Sequence, residues 1–173
     1  MAHELQVWLF AGRIGTLALV EGRLNFWYTD EWIKQPNAVA LSCSLPLQIE
    51  PFDDHKTRPF FAGLLPDGQM RRLIALQFQV SGQNDFALLD HIGGECAGAV
   101  TFLEPGQPLP QPAEGGEVEW LSDDEIIAIL DELPRRPMLA GKDGLRLSLA
   151  GTQDKLPVVV DGDRIGLPRN GTP

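Results

Sequence analysis

The sequence predicts an α+β fold in which a small, antiparallel, β-rich unit with helices is followed by a second group of strands. Short strand-like runs separated by turn residues fill roughly the first 45 residues. From Pro59 onward, apolar residues recur at helical spacing instead. Near the C-terminus a strand, a glycine-containing loop, a second strand and a hairpin follow one another. Together these three patterns indicate a mixed fold.

The composition is that of an ordinary globular protein, with 173 residues, 43% apolar side chains and 22% charged side chains. No apolar run reaches the roughly 18 residues that a membrane span needs, and no basic and then apolar signal opens the sequence. We therefore expect a cytoplasmic protein with no membrane partner. Cys43 and Cys96 are too few for a disulfide scaffold and belong to no C-x-x-C pair, so we expect both to be buried.

Charge is distributed unevenly along the chain, whose formal net charge is -10. The stretch 104–132 carries nine acidic residues and no Lys, Arg or His, whereas residues 135–173 carry seven bases and four acids. An acidic protein is a poor candidate for non-specific binding to DNA or to anionic membranes, which needs a broad positive surface. The local basic excess favours a small anion, such as a nucleotide phosphate, over a polyanion.

Four strands are predicted in the N-terminal unit, at 5–10, 15–20, 24–28 and 39–45, and their close spacing indicates an antiparallel meander or small barrel. Five aromatic residues are predicted to supply much of its core, with an aromatic binding patch as the alternative. These are Trp8, Phe26, Trp27, Tyr28 and Trp32.

Helices are predicted after residue 59. The apolar spacing between 60 and 78 indicates two helices with a break at 66–68. Asn84, or the aspartate after it, can cap a third helix that Gly93 should end. A buried strand is then expected at 97–103.

A polar Pro/Gly-rich loop at 104–117 is the predicted domain boundary, since it is longer than most internal connections. Ser122 and Glu125 form a capping box that predicts a helix at 123–133. The acidic first turn of this helix also suits the helix dipole.

The most chemically suggestive segment is the loop from Ala150 to Lys155, which lies between predicted strands at 145–149 and 156–160. A turn of small residues exposes backbone N–H groups that can cradle phosphate, and a lysine follows. The loop is neither a Walker A nor a Rossmann sequence, because the required spacing of glycines is absent. Its strand–loop–strand context resembles the phosphate-covering loop of protein kinases, with a purely structural hairpin turn as the alternative.

Other candidate sites are weaker. The consecutive residues Asp53, Asp54 and His55 are interpreted as a solvated loop, because neighbours in sequence rarely all face one metal ion. The pairs 71–72 and 135–136, both Arg-Arg, are interpreted as exposed. No general acid and base pair can be assigned from spacing.

Five segments in order resemble the N-terminal part of HipA-family toxin kinases. They are LSCSLPL at 41–47, FFAGLLPD at 60–67, CAGAV at 96–100, SLAGTQDKL at 148–156 and GLPRNGTP at 166–173. Each motif is modest alone, but their order and spacing over nearly the whole chain make the match specific. The resemblance implies an N-terminal subdomain at 1–104, a linker at 105–117 and the first β-strands of a HipA-like kinase N-lobe at 118–173.

The family is one of serine/threonine kinases from bacterial toxin–antitoxin modules. The resemblance implies that six residues form the ATP phosphate loop, namely Ala150, Gly151, Thr152, Gln153, Asp154 and Lys155. Asp154 stands where the family more usually has glutamate. Ser148 stands where the family carries a serine that can be autophosphorylated, and about two added negative charges there would repel ATP. The alternative is a strand serine that faces solvent.

The family's ATP-anchoring lysine, catalytic aspartate and magnesium-binding aspartate follow the final Gly-Thr-Pro, so we expect no catalytic residue in this chain. ATP and Mg²⁺ are expected to act in a full-length parent and not to bind this fragment tightly. The resemblance implies three contacts for that parent: a helix-turn-helix, HipB-like antitoxin; DNA, indirectly through that antitoxin; and a protein substrate such as an aminoacyl-tRNA synthetase.

A kinase N-lobe sheet that contains only its first strands would expose an unpaired edge, which predicts self-association of this fragment. The alternative function is a free-standing regulatory subunit that restrains a separately encoded kinase. A third possibility is a small β-barrel that binds peptides and has no link to a kinase.

Overall fold

A computed structural model describes residues 3–93, 99–109, 117–132, 156 and 158–169. Its N-terminal unit contains a four-stranded antiparallel sheet in the order β3-β2-β1-β4, which confirms the predicted α+β class. The strands are β1 (Glu4–Leu9), β2 (Gly12–Val20), β3 (Arg23–Tyr28) and β4 (Val100–Leu103).

Side chains alternate between the two faces of this sheet, as the period of a β-strand requires. Leu5, Val7 and Phe26 point into the main hydrophobic core, each at most 1% exposed. Trp8 and Trp27 occupy the alternate positions and lie on the opposite face, each half-buried and outside that core. The prediction that all five aromatic residues build the core is therefore wrong for these two tryptophans.

Gly15 in β2 allows a close approach of the neighbouring strand β3. A Cβ atom at this position would lie 2.5 Å from the Phe26 ring and 2.4 Å from the Trp27 carbonyl oxygen. Phe26 can therefore lie over β2 and contact Tyr28, Phe52 and Phe61, with ring centroids 4.9, 6.2 and 5.3 Å away. These four aromatic rings form the centre of the core.

Four helices belong to the N-terminal unit: α1 (Asp30–Ile33), α2 (Asp54–Ala62), α3 (Gly68–Gln77) and α4 (Asp85–Ile92). The two predicted helices with a break correspond to α2 and α3, although α2 begins before residue 59. The predicted cap of α4 is confirmed, because the Asn84 side chain accepts a hydrogen bond from the Ala87 N–H at 3.1 Å. Buried Phe61 on α2 and Leu89 on α4 attach these helices to the sheet core.

The predicted strand at 39–45 is absent, and a turn closed by a bridge between Ser42 and Leu45 lies there instead. The buried Tyr28 hydroxyl fixes this turn, since it accepts from the Leu41 N–H at 2.7 Å and donates to the Leu45 carbonyl at 2.5 Å. Burial raises the pKa of Tyr28, and the Leu41 N–H opposes this effect. Cys43 at the tip of the turn is exposed, so its predicted burial is wrong, while Cys96 lies outside the described residues.

A second antiparallel sheet has the order β5-β7-β6, with β5 (Glu117–Leu121), β6 (Val159–Asp161) and β7 (Arg164–Arg169). The strands predicted at 156–160 and, after the hairpin turn, at 164–167 overlap β6 and β7, but the sequence pattern missed β5. The capping box of α5 (Asp123–Glu132) is confirmed, because the Ser122 N–H donates to Glu125 Oε2 at 2.8 Å and the Glu125 N–H donates to Ser122 Oγ at 3.4 Å. None of the helices in the described ranges is long and apolar enough to cross a bilayer.

Replacing Tyr28 with Phe removes the hydroxyl and leaves the Leu41 N–H and the Leu45 carbonyl unpaired. We expect Y28F to lower the free energy of unfolding by about 1–3 kcal/mol, measured by urea denaturation at neutral pH. The control is S44A, which removes an exposed hydroxyl from the same turn and should change it by less than about 0.5 kcal/mol. A Y28F midpoint equal to that of S44A would contradict the role assigned to the Tyr28 hydroxyl.

Candidate functional site

The residues predicted to form the phosphate loop, Ala150 to Lys155, and the predicted modification site Ser148 all lie outside the described residues. The structure does describe the strands that follow this loop. Leu156, the residue after Lys155, packs in a small core with Leu167, Leu121 and Ile129. The residue that follows the predicted loop is therefore packed against the second sheet and α5.

An ion pair and a cation–π contact stabilise the hairpin of the second sheet. Arg164 pairs with Asp161 across the turn at 2.5 Å, and its guanidinium lies 4.3 Å from the centre of the Trp120 ring on β5. Gly166 makes room for that ring, because a Cβ atom there would lie 2.5 Å from Val118 Cγ1 and 3.0 Å from Trp120 Cε3. Trp120 remains 39% exposed, so this face of the sheet can contact another group.

An ion network in the N-terminal unit is the other cluster of charge in the described ranges. Arg58 on α2 donates to both carboxylate oxygens of Asp54, with distances of 2.7–3.1 Å, and to Asp85 Oδ2 at 2.7 Å. It also donates to the Gly22 carbonyl in the β2–β3 turn at 3.2 Å. Arg71 on α3 donates to Asp85 Oδ1 and, at 2.6 Å, to the Gly82 carbonyl.

Burial and hydrogen bonding act on the charged groups of this network, and they shift the pKa values of Asp54 and Arg58. Asp85 is only 7% exposed, so it needs the two guanidinium groups beside it. Hydrogen bonds from Arg58 hold the pKa of Asp54 below its usual value, although burial opposes this, and the Leu24 N–H, 2.6 Å away, adds to the lowering. The hydrogen bond to Asp54 in turn raises the pKa of Arg58.

Two interpretations from the sequence are therefore corrected. Residues 53–55 do not form a solvated loop, because Asp53 caps α2 and accepts from the Lys56 N–H at 3.1 Å, while Asp54 belongs to the network. Arg71 is not an exposed residue, since its side chain is 19% exposed and paired. The i,i+4 spacing of Asp54 and Arg58 is a sequence signal that could have shown their pairing. No local pattern indicates the contacts to Asp85, which lies 27 residues beyond Arg58.

Comparison with known families identifies the N-terminal unit. Residues 5–103 match the family described as HipA N-terminal domain, and they span the first sheet and its four helices. The chain therefore belongs to the HipA family, as the sequence motifs predicted.

Individual relatives agree with this assignment. The chain is 44% identical over 155 residues to putative kinase Y4mE of Sinorhizobium fredii, covering 87% of this chain and 36% of that protein. It is 30% identical over 135 residues to the serine/threonine-protein kinase toxin HipA of Shewanella oneidensis, covering 78% of this chain and 30% of that protein. The chain thus spans well under half the length of these relatives.

A solved structure shows the same arrangement of elements. The Shewanella oneidensis complex of HipA, HipB and operator DNA contains a chain that matches with a TM-score of 0.69 and 26% identity. The match covers 95% of this chain and 39% of that one. The antiparallel sheets and helices described above are therefore those of the N-terminal region of HipA.

The lowered pKa of Asp54 makes stability depend on pH. Its contribution is present above the unfolded carboxyl value of about 4 and is lost as pH falls through the folded pKa. We expect the urea midpoint of the wild type to fall more between pH 5 and pH 3 than that of D54N, which has no carboxylate to protonate. The control is D67N, since Asp67 makes no side-chain hydrogen bond at the start of α3. Equal pH dependence in D54N and the wild type would contradict the assignment.

Proposed function

We propose that this chain is the N-terminal part of a HipA-like serine/threonine kinase of a toxin–antitoxin module and carries its ATP phosphate loop at 150–155. The observation that carries the proposal is the described structure that follows the loop. Leu156 is fixed in the small core, and β6 and β7 form a hairpin immediately after it. The 44% identity to a putative kinase over 87% of this chain supports the same conclusion.

In this proposal the loop binds phosphate through its backbone N–H groups, and Lys155 supplies a positive charge near the phosphates. Asp154 keeps the negative charge that the family usually has as glutamate. Ser148 is an off switch, because a phosphate at this position carries about two negative charges and repels ATP. The 173 residues include no counterpart of the family's catalytic and magnesium-binding aspartates, so phosphoryl transfer requires a further lobe.

The parent protein would act in the cytoplasm on a protein serine, with aminoacyl-tRNA synthetases as the substrate class that the family resemblance implies. Its partner would be a HipB-like helix-turn-helix antitoxin, through which it would reach DNA. The similarity to the HipA chain in the complex with HipB and operator DNA supports this choice of partner. The net charge of -10 also favours indirect over direct contact with DNA.

Isothermal titration with Mg·ATP tests the loop assignment. We expect weak or absent binding by the 173 residues alone and micromolar binding by the longer product that the proposal requires. In the longer protein, K155A should weaken binding by about tenfold, since a hydrogen bond to a charged group contributes about 1.5 kcal/mol. The control K142A removes a lysine outside the loop and should leave the affinity unchanged. Absence of binding by both proteins would overturn the loop assignment.

A specific observation favours the second candidate, a free-standing regulatory subunit. An uncharacterized protein of Haemophilus influenzae is 28% identical over 102 residues, which make up 92% of that protein and cover 59% of this chain. A protein that short matches only part of this chain. Reading the gene past the codon for Pro173 separates the two candidates. A continuing kinase frame favours the first, and a stop followed by a separate kinase frame favours the second.

Exposed apolar side chains on the second sheet and α5 support the proposal that this region binds another surface. Val158, Val160, Ile127 and Leu130 are 43%, 64%, 57% and 53% exposed. Exposed apolar area of this kind is usually covered by association. We expect light scattering to show a dimer of the 173-residue chain at high concentration, and the double variant V160T/L130Q to shift the population towards monomer. A wild-type chain that stays monomeric would contradict the proposal.

A further inference from the structure

Helix α5 uses only part of its apolar surface to pack against the second sheet. Ile129 lies in the small core around Leu167. Ile127 and Leu130, in contrast, are 57% and 53% exposed. These two side chains lie three positions apart in the helix, so they are neighbours on its surface. They form an exposed apolar strip along α5.

Carboxylates border this apolar strip. Asp123, Asp124 and Asp131 lie three or four positions from Ile127, so their side chains are its neighbours on the helix. All three aspartates are exposed, and none of them forms an ion pair within the described part of the chain. The stretch 104–132 contains no Lys, Arg or His that could pair with them locally. We call Ile127, Leu130 and these three aspartates the α5 face.

Charge distinguishes between the possible partners of the α5 face. A second copy of the chain would cover Ile127 and Leu130, but it would bring its own carboxylates close to these ones, and like charges repel. The dimer expected above at high concentration therefore leaves the negative charge of the face uncompensated. A partner with Lys or Arg beside apolar side chains gains both the burial of apolar area and the complementary charge.

The shape of the α5 face favours a helix as that partner. Helix α5 has ten residues, which corresponds to a length of about 15 Å, and the apolar strip lies along one side of it. A second helix with apolar side chains three and four positions apart can pack beside such a strip, with ridges of one helix in the grooves of the other. Basic residues that flank its apolar side chains then lie opposite the aspartates.

We propose that the α5 face binds a basic amphipathic helix of a partner protein. Apolar side chains of that helix contact Ile127 and Leu130, and its Lys or Arg side chains pair with Asp124 and Asp131. This inference goes beyond the proposed kinase function and does not rest on it, because no residue of the face belongs to the loop at 150–155. Failure of ATP binding would leave it unchanged.

Fluorescence anisotropy of labelled peptides, titrated with the 173-residue chain at low ionic strength, provides the first test. The probe is a peptide of about 18 residues that has Leu at helical spacing and Lys between the leucines. Two comparison peptides replace its Leu with Gln or its Lys with Glu. We expect the Leu/Lys probe to bind with a Kd of order 10–100 μM and both comparison peptides to bind at least about tenfold more weakly. Equal binding of the Gln/Lys peptide would reduce the interaction to unspecific attraction by an acidic protein and overturn the proposal.

A pair of double variants tests the apolar strip. I127Q/L130Q removes both exposed apolar side chains and places a good helix former at each position, so α5 should form as in the wild type. We expect this variant to weaken binding of the probe by about tenfold. The control I49Q/L76Q changes two apolar residues of the N-terminal unit, which are 72% and 74% exposed, and should bind the probe like the wild type. Equal affinities for the two double variants would contradict the assignment of the face.

A second pair of variants tests the charges at equal net charge. D124N/D131N removes two carboxylates beside Ile127, and the control E50Q/E104Q removes two exposed carboxylates outside the face. We expect only D124N/D131N to weaken binding of the probe, by about fivefold, and the difference to shrink in about 0.5 M NaCl. Identical affinities for these two variants at low ionic strength would refute the role of the aspartates.

Light scattering distinguishes the basic helix from a second copy as the occupant. Saturating probe should convert any dimer of the chain to a 1:1 complex of chain and probe. A dimer that persists and excludes the probe would assign the α5 face to a second copy and overturn the proposal.

Discussion

The N-terminal unit depends on the ion pairs that Arg58 and Arg71 make with Asp85. Asp85 is nearly inaccessible to water, and its two carboxylate oxygens each receive one guanidinium group, from helices α2 and α3. Removing Asp85 would leave both guanidinium groups without this partner, and removing one partner of a buried ion pair typically costs about 3–5 kcal/mol. The helices must therefore assemble together, and the network disfavours partly packed arrangements of the unit.

Arg58 extends this constraint to the sheet, because it also binds the carbonyl of the β2–β3 turn, and Asp54 accepts from the Leu24 N–H at the start of β3. Apolar burial alone would pack α2 against the sheet with little preference for one rotation of the helix about its axis or for one position along the sheet. Directional bonds to the backbone groups of Gly22 and Leu24 remove that freedom. The aromatic core centred on Phe26 supplies the buried apolar area, and the ion network fixes the position of α2 on the sheet.

Local sequence patterns predicted most of the helices and strands, because helix caps and strand alternation depend on residues that are close together in the chain. The caps at Asn84 and Ser122 are properties of a few neighbouring residues, and the alternation in the first three strands is visible in the sequence. The turn at 39–45 was missed because its β-rich composition matches a strand, whereas its shape depends on the hydroxyl of Tyr28, which lies 13 residues before Leu41. The same applies to Trp8 and Trp27, since composition does not show which face of a sheet is covered. For the candidate site, the residues of the phosphate loop were assigned from family motifs, because local sequence patterns do not distinguish such a loop from an ordinary hairpin turn. The contacts of Asp85 are long-range and left no local pattern in the sequence.

Strand β5 is held by its contacts within the second sheet. It takes its position from the β7 ladder, with the Trp120 ring fitted against Gly166 and stacked on Arg164, and so it needs no guidance from the chain before it. Any residue larger than glycine at position 166 would therefore need a compensating change at Val118 or Trp120 before it could persist during evolution.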